Sequence, residues 1–329
     1  MKPTISIVSP VHNEEAVLHE LYRRVRDVMV QSGETWELVL VDDGSRDRSA
    51  EIIAELHAQD ERVRGISLSR NFMFQIAATA GLEHACGDAI VLIDADLQDP
   101  PEVILEMIAK WREGYDVVYG VRTEREGETW FKRVTAKMFY RIIVRITGIN
   151  IPVDTGDFRL MDRRVVEALL RMPERNRFLR GMVSWAGYRQ TGVKYKRRAR
   201  FAGETKFTVR KMTRFALDAI AGFSYFPLQL ATYLGFTIAA LSGVTIFVVI
   251  ALRLFGPQTP LLGQATTLVA VLFLGGVQLI SLGIIGEYLG RIYDEVKGRP
   301  LYLVNKKWGF DDERQENGDV TRQSLTSPD

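Results

Sequence analysis

Along the first 122 residues, short apolar runs alternate with longer amphipathic ones. Strand-like runs read ISIVSPV (5–11), ELVLVDD (37–43), VRGISLS (63–69), AIVLIDA (89–95) and DVVYGVR (116–122). Helical spacing fills the gaps at 14–31, 49–59, 75–85 and 101–114. The strand runs are nearly continuous in apolar character, which predicts an α/β fold with a mostly parallel sheet covered by helices on both faces. Ligands of such sheets bind beyond the carboxyl ends of the strands. Polar residues gather there: His12, Asn13 and Glu14 after the first run, Asp42 and Asp43 after the second, Asp94 and Asp96 after the fourth, and Arg122 after the fifth.

The pattern then changes. Residues 130–148 interleave aromatic and aliphatic residues with Lys and Arg, as an amphipathic helix lying on a membrane surface does. Residues 207–227 resemble them and lead into an uncharged apolar run, 228–252, followed by a second, 261–286. A helix of about 25 residues spans roughly 37 Å, enough to cross a hydrocarbon core of ~30 Å. Two transmembrane helices are therefore expected. Arg210, Lys211 and Arg214 precede the first, and Arg291, Lys297, Arg299, Lys306 and Lys307 follow the second. The positive-inside rule then places both termini in the cytoplasm and Gly256 to Pro260 outside, in a multi-pass protein of the cytoplasmic membrane.

The expected organisation is a cytoplasmic catalytic domain (1–206), a juxtamembrane amphipathic helix (207–227), a transmembrane hairpin (228–290) and a cytoplasmic C-terminal segment (291–329) with a polar, disordered end. Gly275, Gly276, Gly283 and Gly286 would let spans pack closely, and a homo-oligomer is expected.

Composition narrows the chemistry. A net charge of +2 makes no case for nucleic acid, and the single cysteine, Cys86, excludes an internal disulfide. The four histidines lack metal-ligand spacing. Neither G-x-G-x-x-G nor G-x-x-x-x-G-K-[ST] occurs to cradle a pyrophosphate. IVLIDADLQDPP (90–101) places Asp94 and Asp96 where a buried strand should end. Paired carboxylates suit a hard cation, Mg²⁺ or Mn²⁺, which completes its shell with substrate phosphates. A nucleotide-diphosphate substrate follows. A polar turn with one Asp as helix cap is the alternative.

The ordered set SPVHNEE, VDDGSRDRS, SRNF, DADLQDPP, VYGVR, DTGDFRLMD and AGETKF, within residues 4–307, resembles the polyprenyl-phosphate glycosyltransferases. These form the dolichyl-phosphate-mannose-synthase-like branch of family 2 glycosyltransferases. The likeness is greatest to bacterial members with two C-terminal spans that glucosylate undecaprenyl phosphate. It implies a GT-A type nucleotide-diphosphate-sugar domain and an inverting transfer of a hexose, with UDP-glucose the first choice of donor. It places Pro10, Glu14 and Asp42 around base and ribose, and Asp94 and Asp96 at metal and diphosphate with Gln98 beside them. Asp157 falls near the reacting centre, and Arg122, Arg200 and Lys206 face phosphates. GDP-mannose as donor, or a non-catalytic membrane scaffold, are the alternatives. One departure stands out: after SRNF many relatives carry a glycine and a polar residue, where this chain has Met73 and Phe74.

Overall fold

The computed structural model describes residues 2–123, 155–196, 226–255 and 263–310. The chain runs β1 (Ile5–Val11), α1 (Leu18–Ser32), β2 (Trp36–Asp42), α2 (Ser49–Gln59), β3 (Val63–Leu68), α3 (Phe74–His84) and β4 (Ala89–Leu92). A 3-10 turn (Pro101–Val103), α4 (Ile104–Arg112), β5 (Val117–Arg122), β6 (Thr155–Asp162), α5 (Arg163–Leu170), α6 (Leu179–Trp185) and β7 (Gln190–Tyr195) follow. Two long helices, α7 (Phe226–Phe255) and α8 (Gly263–Val296), precede a last strand, β8 (Val304–Trp308).

The eight strands form one sheet in the order β7-β5-β6-β4-β1-β2-β3-β8. Strands β1 to β4 pair in parallel, as the apolar runs predict, and β7 pairs in parallel with β5. β6 lies antiparallel between β4 and β5, and β8 lies antiparallel against β3. The buried apolar side chains form two cores. One receives Ile5 and Ile7 with residues of α1, α2 and α4; the other receives Val8, Val39 and Val41 with residues of α3, α5 and α6. α3 approaches closely because its buried side is Ala77, Ala78, Ala80 and Gly81. A Cβ at Gly81 would collide with Val8.

β6 carries no uninterrupted apolar run. Phe158 and Leu160 enter the first core and Met161 the second, so Asp157 and Arg159 share the Met161 face by strand alternation. β8 completes the sheet from the far end of the chain, and its Trp308 packs against the first core.

Two helices, with candidate spans Leu228–Thr245 and Phe273–Val296, are long and apolar enough to cross a membrane. They leave large apolar side chains uncovered: Phe236, Phe247 and Leu279 are each more than 70% exposed. Exposed apolar side chains of this size mark a contact with a membrane or with another protein. The proposed interfacial helix 130–148, and all of 207–227 except 226 and 227, lie outside the described residues.

Candidate active site

The strand order positions the site. β4 pairs with β1 only as far as Val8, and Ile93 N–H donates to the Val8 carbonyl at 3.0 Å. Pro10 lies past that last rung and on the same side of β1, so its missing N–H leaves no ladder bond unmade. Beyond Leu92 the chain turns through DADLQD. Leu97 adopts a left-handed backbone (φ 57°) while its side chain is buried in the first core. A bulky residue in that region costs about 1–2 kcal/mol, which its packing must offset. The turn is closed by the Gln98 N–H, which donates to Asp96 Oδ1 at 3.1 Å. Asp96 and Asp99 are buried and Asp94 partly so.

Arg122, at the end of β5, points into this turn. Its guanidinium lies 3.5 Å from Asp99 Oδ2, and its Nε donates to Tyr195 Oη at 3.2 Å. Tyr195 Oη donates in turn to Asp99 Oδ1, and its ring meets Phe158 edge-on at 5.7 Å. A side chain at Gly156 would strike the Arg122 guanidinium. A Cβ there would displace the guanidinium from its place beside Asp99 and Tyr195.

Asp157 stands on β6 beside this group. Its Oδ2 accepts from Arg180 on α6 at 3.0 Å, and its Oδ1 lies 4.0 Å from Arg159. Arg159 is itself fixed by the Gly156 carbonyl at 2.9 Å. Burial lowers its pKa to about 10, which leaves it charged at neutral pH. Four carboxyl groups, of Asp94, Asp96, Asp99 and Asp157, thus share a small region with the guanidiniums of Arg122, Arg159 and Arg180. If all four were ionised, carboxylates would outnumber guanidiniums by one. Burial, and then Asp99, Asp157 and Asp96, push the Asp94 carboxyl up to about 8 against the pull of Arg122.

The loops after β1 and β2 form the adjoining rim. Asp42 is buried, and its two oxygens accept from Ser45 N–H at 2.9 Å and Ser67 Oγ at 2.8 Å. Burial raises Asp43, which accepts from Phe72 N–H at 2.6 Å. His12 meets the Asp43 carbonyl at 3.0 Å and the Asn71 side chain at 3.1 Å, so it serves as a turn residue. Glu14 N–H donates to Ser49 Oγ at 3.0 Å, tying the first loop to α2.

The structure therefore brings together Asp94, Asp96, Asp157 and Arg122, with Gln98 in the turn and with Pro10, Glu14 and Asp42 on neighbouring strand ends. Arg200 and Lys206 lie outside the described residues. Sequence reading missed four members. Asp99 stood inside the quoted DADLQDPP motif. Arg159 was readable as the strand neighbour two residues from Asp157. Arg180 and Tyr195 arrive from distant segments and carry no local signal.

Among the described residues no group of three or more His, Cys, Asp or Glu forms a ready metal cage. Paired carboxylates nonetheless fit a Mg²⁺-like ion, which displaces the proton of a carboxyl it binds, commonly takes one or two carboxylates and fills its shell from substrate phosphates and water. Asp94 and Asp96 are the residues that would hold it.

The Glycosyl transferase family 2 model matches residues 6–170. The chain is 54% identical over 309 residues to glycosyltransferase YkcC of Bacillus subtilis, covering 94% of this chain and 95% of the relative. It is 44% identical over 303 residues to a prophage-derived bactoprenol glucosyl transferase of Shigella flexneri, covering 92% and 97%. Among solved structures, glucosyl-3-phosphoglycerate synthase of Mycobacterium tuberculosis aligns with a TM-score of 0.46 at 21% identity, covering 67% of this chain and 78% of that one. On the family match and the full-length relatives, the chain belongs to glycosyl transferase family 2.

Proposed function

We propose that this protein transfers glucose from UDP-glucose to a polyprenyl phosphate, undecaprenyl phosphate in bacteria, with inversion at the anomeric carbon. The observation that carries the reading is the likeness, across 92% of this chain, to a bactoprenol glucosyl transferase. The site chemistry agrees with it. The acceptor is a phosphate monoester whose second pKa is about 6, by analogy with phosphorylated side chains, so near pH 7 it is mostly a dianion and already nucleophilic. Its oxygen forms the new bond to C1 as the bond from C1 to the diphosphate breaks.

Asp94 and Asp96 would hold a Mg²⁺ or Mn²⁺ ion, which would supply positive charge at the nucleoside diphosphate that leaves. Pro10, Glu14 and Asp42 line the base and ribose side, with Gln98 beside the diphosphate. Asp157, oriented by Arg180 and Arg159, positions the reacting groups. A dianionic acceptor must approach a site rich in carboxylates. Arg122, and Arg200 and Lys206 from outside the described residues, offset that repulsion, since guanidinium pairs bidentately with phosphate. The two long helices hold the protein in the cytoplasmic membrane with both termini in the cytoplasm.

The test is chromatography of lipid extracts from the purified protein given undecaprenyl phosphate and, separately, labelled UDP-glucose, GDP-mannose and UDP-N-acetylglucosamine. A β-linked glucosyl lipid from UDP-glucose alone is expected. Labelling from GDP-mannose in preference would replace the donor assignment, and an α-linked product would exclude a single displacement.

A further inference from the structure

A basic cavity, lined by residues distinct from the carboxylate cluster, lies at the end of α8. It has a volume of about 300 Å³ and is bounded by the loop 70–73 with Ile76 of α3, by Arg175 and Asn176, and by the stretch 294–301. The uncharged run of α8 ends at Gly286, and the cavity lies about two to three helical turns beyond it, on the side where Lys and Arg follow the span. Arg175 fixes this junction. Its guanidinium donates to the carbonyls of Asp294 at 2.9 Å and Arg299 at 2.6 Å, and its N–H donates to Glu295 Oε1 at 2.8 Å. Carbonyls in the last turn of a helix, such as that of Asp294, lack intrahelical donors, and Arg175 supplies one.

Three further cations border the cavity. Arg70 stacks on Phe72 with 4.0 Å to the ring centroid, and Lys297 lies 4.1 Å over the Tyr293 ring. The Arg299 guanidinium makes no hydrogen bond or ion pair among the described residues. Asp294 also lines the cavity and offsets one of the positive charges.

The lining also includes the apolar residues Phe72, Met73, Ile76 and Leu301. Met73 is 69% exposed, and its backbone (φ 74°, ψ 156°) lies in a region that is essentially glycine's alone. The chain maintains backbone strain there while presenting a large apolar side chain to the cavity mouth.

We propose that this cavity binds the phosphate headgroup of an anionic bilayer phospholipid, with the phosphate among Arg70, Lys297 and Arg299 and the start of an acyl chain against Met73 and the exposed face of α8. Free phosphate would need the cations but not the apolar residues. A neutral lipid would need those residues but not the net positive charge. The proposal is independent of the transfer reaction. The site would seat the catalytic domain on the leaflet surface, and loop 70–73 would link it to the active-site rim, since Asn71 and Phe72 also bond to His12 and Asp43.

The test is native mass spectrometry of the full-length protein in mild detergent, titrated with phosphatidylglycerol or phosphatidylcholine. One phosphatidylglycerol should bind well ahead of any phosphatidylcholine. Each basic residue near a membrane surface contributes about 1 kcal/mol, so Lys297→Gln with Arg299→Gln should weaken that molecule roughly ten- to thirtyfold. Arg291→Gln, which removes a charge outside the cavity lining, should not weaken it. Met73→Gly suits the backbone better and should weaken lipid retention with no loss of thermal stability, which separates binding from misfolding. Equal loss from Arg291→Gln, unchanged binding in the double variant, or displacement by millimolar inorganic phosphate would overturn the proposal.

Discussion

Replacing Asp94 by Asn separates what this carboxyl costs the fold from what it gives the reaction. In the folded, metal-free protein its pKa rises from the ordinary 3.8 to about 8, with burial the first cause. The unfolded chain releases this proton near 3.8, so between about 4 and 8 the folded chain holds one proton more. Stability from this group is then fully present below about pH 4 and is lost as pH rises towards 8. At 1.36 kcal/mol per pH unit, the interval from 3.8 to pH 7 corresponds to ~4 kcal/mol. Relaxation of the turn and counter-ions reduce that figure, and a gain of about 2–4 kcal/mol is expected for Asp94→Asn at pH 7. The assay is thermal unfolding of both proteins in detergent with EDTA, followed by tryptophan fluorescence at pH 5, 6, 7 and 8. The variant should melt higher, by a margin that widens with pH, and yet transfer no sugar. A margin independent of pH, or a variant less stable at pH 7, would refute the electrostatic reasoning.

Three further outcomes follow from the geometry. Leu97→Ala removes the side chain that holds the DADLQD turn in its left-handed backbone; it should cost about 2–4 kcal/mol, read as a lower melting midpoint, and weaken Mn²⁺ binding in the same titration. Arg180→Gln should cut transfer at least tenfold with the fold intact, Arg180→Lys recovering part of it, since Asp157 then keeps only Arg159 at 4.0 Å; wild-type turnover in the Gln variant would remove Arg180 from the site. A topology reporter fused after Gly256 should lie outside the cell and one at the C-terminus inside, and the opposite pattern would reverse the membrane orientation.

Much of the fold was legible because the first half of the chain states it locally. Apolar runs set β1 to β5, and the expected helix at 49–59 has the same bounds as α2. β6 escaped because Asp157 and Arg159 interrupt its apolar pattern; Arg159 is buried and Asp157 half-buried, with Arg180 and the backbone compensating them. β8 escaped for a different reason. VNKKW is polar and exposed, and it becomes a strand by pairing with the free edge of β3, a consequence of tertiary placement. The site was half legible. Residues at strand ends declare themselves through the α/β rule, and Asp94 and Asp96 through their spacing. Arg180 and Tyr195 reach the site from elements whose sequences give no sign of it. No residue spacing revealed that Asp99 anchors Arg122, because that pairing exists only once β5 lies two strands from β4.

The most direct test of the account is metal-dependent transfer by the purified full-length protein, stripped with EDTA and then supplied with labelled UDP-glucose, undecaprenyl phosphate and either Mn²⁺ or Mg²⁺. Label should enter the lipid phase only after the ion is returned, and Asp96→Ala should stay inactive at every ion concentration while still purifying as a folded membrane protein. Full transfer in EDTA, or near-normal turnover by Asp96→Ala, would contradict the claim that the paired aspartates grip the ion at which the nucleoside diphosphate departs.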